Sequence, residues 1–579
     1  MPRLGAALTQ GSPSFRRLQS ITGMDRLPSD RGEGSIGTCI KHTGLVRHRR
    51  HFRPCPADSA VRRCRADARH RATPLDPSLH PSAGCSHSYS SLDGTAMSIT
   101  LASSLIGLGL YLGSLLWLGT RSRNQEHADA DAYFLANRRL QAGVLFFTLI
   151  ATNFSAFFFL GFAGAGYRIG IAYFPMMALG TGLAALSFGS FGCRVRQISK
   201  THKLITPSEL IGHLLPGEGV RLLVFLVMLT FTLPYLALQP IGAGYLLESM
   251  TGGAVPFGVG AVLLTLVIVA YVVTGGMKAV ALTDVLQGIL MFLLMSLAFG
   301  AIAHGLGGVG QVNQLLRSQT PELFSGAGLG TFFSLPIFAS YLLLWPLCLP
   351  MFPQLMMRFF AAGDDRSLKQ TMILYPIVAG VLFIFPVLIG VWGHVSFPGL
   401  EGRAADQILP MMLGAHSPEW LAGLVMVGAL AAFMSTLDSQ LLALSSMVTR
   451  DLYCRYWRPN ASLTEQVRVG KVVVCALAAG GLAIALHPPE AILSLATHAF
   501  SGLAVLFPMV VGAVYGMRWS VSGALVSILA GETMLLGLSI GWIPTWVQAG
   551  CLPLVPAVVV ASGVLAVDLA MGSRPARAD

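Results

Sequence analysis

The feature that most constrains this chain is a succession of apolar stretches, each long enough to cross about 30 Å of hydrocarbon. Thirteen of them fall near 99–119, 141–165, 169–193, 221–247, 254–274, 279–304, 331–356, 371–396, 418–447, 467–487, 491–514, 519–540 and 549–571. We number them spans 1 to 13. Inside a bilayer no water is available to hydrogen-bond a free backbone N–H or C=O, so each stretch is expected to be helical. Composition agrees, with 54% apolar and 11% charged residues and 64 glycines in 579 positions. The expected class is an all-α polytopic membrane protein.

Basic residues set the orientation of such a chain, because Lys and Arg collect in inner loops. From Met97 onward there are 24 of them. With the N-terminus outside, 21 fall in inner loops or the C-terminal tail, among them Arg358 and Arg366 after span 7, and Arg168, Arg317 and Arg403 face out. That split predicts a multi-pass protein of the inner (plasma) membrane with a cytoplasmic C-terminus.

Residues 1–96 do not fit this pattern. They hold 15 of the 39 basic residues, six His, four Cys and no span. They lack the apolar core of a secretory signal, and Cys39, Cys55, Cys64 and Cys85 have no metal-site spacing. The expectation is a disordered basic extension outside the native chain, with Met97 as the start, a membrane domain over 97–573 and a cytoplasmic tail over 574–579. Its charge says little about nucleic acid, and no nucleic-acid partner is expected. The stretches near 194–220, 305–330 and 397–417 are too short to fold alone. The spans carry no paired His-Asp motif, Cys-His arrangement or metal spacing, so no enzyme is expected.

Two spans read as internally broken, and a break frees backbone groups that then bind a substrate or an ion. Span 2, "FTLIATNFSAFFFLGFAGAGYRIG", has Asn153 and Ser155 near its middle, followed by Gly161, Gly164 and Gly166. Span 7, "YLLLWPLCLPMFPQLMMRFF", has Pro346, Pro350 and Pro353, which remove three backbone donors. Their spacing is the one expected if spans 2–6 (about 141–304) and 7–11 (about 331–514) are two inverted five-helix repeats, each opening with a discontinuous helix; the plain alternative for the prolines is simple kinking.

Span 9 contains "GALAAFMSTLDSQLLALSSM" (428–447), with Ser435, Thr436, Asp438 and Ser439 within two turns, then Gln440, Ser445 and Ser446. Such groups at membrane depth cost several kcal/mol unless paired. Ala432, Ser435, Thr436 and Ser439 share one helix face. Sodium takes roughly five or six oxygens, which neutral carbonyls and hydroxyls can supply. The plain alternative is that these hydroxyls bond back to carbonyls one turn earlier or hold two helices together.

Several stretches together resemble the sodium/solute symporters, relatives of the sodium/proline, sodium/pantothenate and sodium/glucose carriers. They are "ADAYFLANRRL" (130–140), "LITPSEL" (204–210), "TGGMKAVALTDVLQGILMF" (274–292), "AAFMSTLDSQLLALSSMVTRDLY" (431–453) and "FSGLAVLFPMVVGAVYGMRW" (500–519). The resemblance implies the leucine-transporter fold, with about 13 transmembrane helices, two inverted repeats and alternating access around a central site. It implies sodium as coupling ion, held by carbonyls and hydroxyls of Ala151, Phe154, Ala432, Ser435 and Thr436.

It also implies substrate or ion contacts at Asn153 and Ser155, where some relatives have an aspartate in place of Asn153. Phe157, Phe158, Tyr173, Phe174 and Trp345 are candidates for the cavity wall. For Asp284, Asp438 and Ser439 the implied role is a second cation site or the ion's exit path. The alternatives for Asp438 are a protonated group bonded to a neighbouring helix, or a charged one solvated by the inner vestibule. No Lys or Arg is expected inside a span near the cavity, so a substrate carboxylate would meet a helix end, a hydroxyl or Asn153. Glu532 reads as structural, Asp568 as meeting water or Arg574, and His498 as a buried packing histidine. The implied function is sodium-coupled import of a small organic solute, such as a monocarboxylate. Proton coupling, or a sensor on the same fold, are the alternatives.

Overall fold

The computed structural model describes residues 130–572 apart from 274 and 275, together with isolated positions between 106 and 117. Residues 1–96, the start at Met97, most of span 1 and the tail 574–579 lie outside the described residues. Among the described residues the chain is helical throughout and has no named strand, with a single isolated bridge between Leu140 and Ala362. Seven helices are long and apolar enough to cross a membrane, and three bent pairs count as spans 2, 7 and 11. The shorter apolar helices Phe257–Val272 and Leu554–Ala570 are spans 5 and 13. Spans 2 to 13 are thus each accounted for.

Burial ranks these helices where hydropathy does not. The apolar window of span 9 is 89% buried and that of span 10, Leu463–Leu486, only 28%, although their hydropathies are 1.9 and 2.2. Lipid and protein interior are equally apolar, so a lipid-facing helix needs no polar stripe. Span 9 is therefore the axis around which the broken helices pack.

The breaks fall where backbone geometry must change. Span 2 bends by 59° between Ala142–Asn153 and Phe157–Ile169, and span 7 by 54° between Leu335–Met351 and Pro353–Ala361. In span 7 the break follows from Pro353, which begins the second half at its first turn, where a missing N–H costs nothing. In span 2 it comes at Phe154, ahead of the glycines. Those glycines serve packing. A Cβ on Gly166 would lie 2.3 Å from the Val387 carbonyl, and one on Gly390 would lie 2.0 Å from the Ala163 carbonyl. The second half of span 2 and span 8, Asp365–Ser396, thus meet backbone to backbone, as small residues in membrane helices allow. Span 11 also bends, by 41° at Leu506, which the sequence pattern does not announce.

Contacts close both ends of span 2. At one end Leu140 N donates to Ala361 O (3.1 Å) and Gly363 N to Leu140 O (2.9 Å), which ties the segment before span 2 to the end of span 7. At the other, Arg168 donates to buried Asp406 (2.9 Å) and to Gly402 O (3.0 Å), while Ile492 N donates to the second Asp406 oxygen (2.9 Å). One carboxylate thereby joins span 2, the loop after span 8 and the first turn of span 11.

The close approach predicts a contrast within one helix. Gly390→Val should abolish the monodisperse size-exclusion peak of the folded protein, whereas Gly380→Val, whose Cβ meets nothing within 4 Å, should keep it. Equal yields of the two variants would contradict the packing described.

Candidate ion and solute site

Span 2 ceases to be helical at Phe154, whose backbone is extended (φ −91°, ψ 97°). Phe158 N then bonds to Ser155 O (2.9 Å), so the Phe154 carbonyl leaves the helical ladder. The freed amide of Ala156 donates to Gln239 Oε1 of span 4 (3.0 Å). Facing this break is span 9. Ser435 Oγ lies 2.9 Å from Ala151 O and 2.8 Å from Ala432 O, and Thr436 Oγ1 donates to Thr152 O (3.1 Å). A hydroxyl has one hydrogen, so Ser435 cannot donate fully to both carbonyls. The oxygens of Ala151, Ala432 and Ser435 converge around one point with lone pairs in surplus, and those of Phe154 and Thr436 belong to the two segments that flank it.

Beside this point sits a group that the charge pattern assigned to an inner loop. Arg358 is fully buried in the second half of span 7, with 1% of its side chain exposed, and pairs with equally buried Asp284 of span 6 at 3.1 Å. Its Nε donates to Thr148 Oγ1 (2.9 Å) and its NH1 to Gln354 O (2.9 Å). Its NH2 reaches Ser439 Oγ, and Thr148 Oγ1 also bonds Asp284. Asp438 accepts from Tyr271 of span 5 and from Ser439 (3.0 Å), and Ser439 also contacts Thr152 Oγ1 (3.1 Å). Asp284, Asp438 and Ser439 are thus brought together. The expectation that no Lys or Arg lies inside a span there is corrected: the cation bonded to Asp284 and Ser439 is a guanidinium. The signal was available, since "LMMRFF" flanks Arg358 with apolar residues on both sides.

On the other side of the break lies a tightly closed cavity walled by rings, with about 10 Å³ of free space. Asn153, Phe157, Phe158 and Trp345 line it, joined by Tyr235 and Phe500, which sequence reasoning missed. No residue lining it carries a formal charge. Phe157 stacks on Trp345 with centroids 5.8 Å apart, and Phe500 meets both rings. Asn153 donates its amide to Tyr375 of span 8. The indole N–H of Trp345 is buried without an acceptor among the described residues. Ser155 and Tyr173 are not part of the wall: Ser155 Oγ accepts from Phe157 N (3.1 Å), and Tyr173 packs its ring behind Phe162 (5.3 Å). Phe174 is half-buried and packs at the edge of the apolar core.

Three further expectations are corrected or refined. His498 is exposed and pairs with Glu490 at 3.2 Å, because its helix face points away from the bundle. Asp568 is buried and accepts from Ser520 N (2.8 Å) and Ser520 Oγ (2.5 Å), bracing the start of span 12, while Arg574 lies outside the described residues. Glu532 is buried with neither carboxylate oxygen bonded among the described residues.

The Arg358 network makes a thermodynamic prediction. Removing one partner of a buried ion pair strands a charge and costs about 3–5 kcal/mol, while replacing both by apolar groups costs far less. Asp284→Leu and Arg358→Met should each lower the melting temperature steeply, and the double variant should recover most of the loss. Additive losses in the double variant would contradict the pairing.

The sequence and the fold match known proteins. The sequence profile of the sodium:solute symporter family matches residues 133–531. The chain is 28% identical over 409 residues to the sodium/pantothenate symporter of Haemophilus influenzae, covering 70% of this chain and 82% of that one. It is 26% identical over 503 residues to the sodium/proline symporter of Escherichia coli, covering 84% and 95%. Among solved structures, a Na+-coupled sialic acid symporter superposes with a TM-score of 0.68 at 19% identity, over 82% of this chain and 99% of that one. A nucleobase-cation-symport-1 family transporter superposes with a TM-score of 0.52 at 12% identity, over 76% and 96%. The broken spans 2 and 7 stand at matching positions of two inverted five-helix repeats in a leucine-transporter-like fold, and the chain belongs to the sodium:solute symporter family.

Proposed function

We propose that the chain imports a small organic solute together with one sodium ion, by alternating access across the plasma membrane, with its C-terminus in the cytoplasm. The observation that carries this reading is the convergence of Ala151 O, Ala432 O and Ser435 Oγ at the span 2 break, with Thr436 beside them. Those are neutral, hard oxygen ligands of the kind that sodium takes. Ion binding joins the two halves of span 2 to span 9, and release follows when that contact opens.

The charges next to the site favour a single ion. Asp284 and Asp438 supply two negative charges and Arg358 one positive charge, so with both acids ionised the cluster has one negative charge in excess. One sodium neutralises it. A second would leave a net positive charge in a buried site, at high cost. Asp284 and part of the Ser439 hydroxyl are already committed to the guanidinium, which leaves Asp438 and Ser439 as the first groups an ion meets on leaving towards the cytoplasm.

The solute we infer carries a carboxylate or another strong acceptor. The relatives named for proline and pantothenate transport acids of this kind. At the cavity the Trp345 N–H, unpartnered among the described residues, and the amide of Asn153 are donors that an acceptor can take once the closed rings part to admit a small apolar body. An unmet buried donor is costly, so filling it with solute favours closure.

Uptake into proteoliposomes across labelled monocarboxylates, amino acids and sugars, with a sodium gradient, a proton gradient or neither, tests the reading. Sodium should drive uptake and protons alone should not. Ser435→Ala and Thr436→Ala should raise the half-saturating sodium concentration roughly 5- to 150-fold, the equivalent of losing about 1–3 kcal/mol from a buried contact. Unchanged sodium dependence in both would overturn the ion site. Trp345→Phe keeps the ring but removes the N–H, and should raise KM for the solute about fivefold or more with little change in the sodium requirement. A KM equal to wild type would remove Trp345 from the solute site.

A further inference from the structure

We infer that a second cavity, remote from the transport site, binds a phosphate-bearing anion, and that its occupant in the membrane is the headgroup of an anionic phospholipid. The cavity has a volume of about 590 Å³ and polar walls. Four segments build it: His202 and Lys203 at the end of helix Phe191–His202, Glu209 and His213 from helix Pro207–Leu214, Gly217 with Glu218 and Arg221 at the start of span 4, and Arg450 with Arg455 from the π-helical end of span 9. Such a site is independent of the identity of the transported solute.

The hydrogen-bond inventory points to an anion. Three carboxylates face the basic groups, and every one of their oxygens already has a donor. Asp451 accepts from Arg221 (2.6 and 3.0 Å) on one oxygen and from Thr206 (2.9 Å) on the other. Glu209 accepts from Arg450 (3.0 Å) on one and from the amides of Ile205 (2.7 Å) and Thr206 (3.3 Å) on the other, completing a capping box. Glu218 accepts from Arg455 on one and from Tyr456 (2.8 Å) on the other.

The donors are not used up in the same way. Arg450 keeps both terminal nitrogens, Arg455 keeps Nε and NH1, and Arg221 keeps NH1, all without a protein partner among the described residues. Lys203, in the cavity wall and exposed, makes no ion pair among the described residues. The first turn of the 33-residue helix of span 4 adds backbone N–H groups and the positive end of its dipole at Gly217. The His202 and His213 rings meet at a tilt of 37° with centroids 3.8 Å apart. Partial burial and then the neighbouring His202 lower the His213 pKa, so His213 adds an N–H donor more than charge. Spare donors around a cavity whose acceptors are saturated fit a group with several acceptor oxygens and negative charge.

The cavity's position distinguishes a lipid headgroup from a free anion. Tyr456 and Trp457 follow Arg455 on the same π-helical segment and are 49% and 71% exposed. Exposed Tyr and Trp at a helix end mark the headgroup level of a bilayer. Basic pockets between helices at that level suit phospholipid phosphates.

The full chain in nanodiscs of phosphatidylcholine, with or without phosphatidylglycerol, tests the assignment by native mass spectrometry after release into detergent. Wild type should retain phosphatidylglycerol in preference to phosphatidylcholine. Lys203→Gln, which breaks no ion pair, should lose about fivefold of that preference, and Lys203→Gln with Arg455→Gln about twentyfold, since each surface charge contributes about 1 kcal/mol towards an anionic lipid. Thermal stabilisation by inorganic phosphate in detergent, lost in Lys203→Gln but without lipid preference in nanodiscs, would keep the anion site and overturn the lipid occupant. No preference and no phosphate effect, in protein whose melting temperature shows that it is folded, would overturn the site itself.

Discussion

A guanidinium at membrane depth costs several kcal/mol unless its donors are met and its charge is balanced, and Arg358 satisfies both conditions with groups from four spans. Thr148 comes from span 2, Asp284 from span 6, Ser439 from span 9, and Gln354 from its own span one turn earlier. Because those partners sit on both repeats, the ion pair fixes the register of span 7 against span 2 and span 9. That register sets the proposed ion ligands, since Thr152, next to Ala151, touches Ser439, one turn after Ser435. In the transport reading proposed above, this structural pair also becomes part of the electrostatics, because it places a permanent positive charge beside the proposed ion site.

The site is divided along the break in span 2. On the span 9 side there are hydroxyls, carbonyls and a cluster of two acids with one guanidinium; on the other side a ring-walled cavity has beside it one amide and an indole N–H that no acceptor meets among the described residues. Asn153 and Phe154 belong to both halves, as the last helical residue and the first extended one. In the proposed site, solute and ion would therefore act on the same few backbone torsions, a physical route for each to favour the conformation that the other needs. The contacts of Arg168 with Asp406 and of Leu140 with Ala361 and Gly363 then close span 2 at its two ends.

Much of this was legible in the sequence, for definite reasons. Spans were readable because hydrocarbon demands continuous apolar helix. The break in span 7 was readable because Pro353 has no N–H, and the hydroxyl face of span 9 because polar groups at that depth need a purpose. The rest was hidden by the bilayer itself. Hydropathy cannot separate buried span 9 from lipid-facing span 10, and a charge rule that assigns every arginine near a helix end to a loop misplaces Arg358. Tyr271, Tyr235 and Phe500 look like ordinary packing residues until tertiary contact puts them beside Asp438 or in the cavity wall. The glycines after Ser155 looked like part of the break, yet Gly166 allows close helix contact.

If the tethered guanidinium takes the place of a second ion, each solute molecule moves with one sodium. The coupling ratio at zero net flux decides whether it does. In proteoliposomes with the membrane potential clamped at zero, the solute gradient that just stops uptake is determined over a series of sodium gradients. With one sodium per solute, the logarithm of the balancing solute ratio rises against the logarithm of the sodium ratio with a slope of one. A slope of two would show that a second sodium travels with the solute, and would contradict the substitution of Arg358 for a mobile cation.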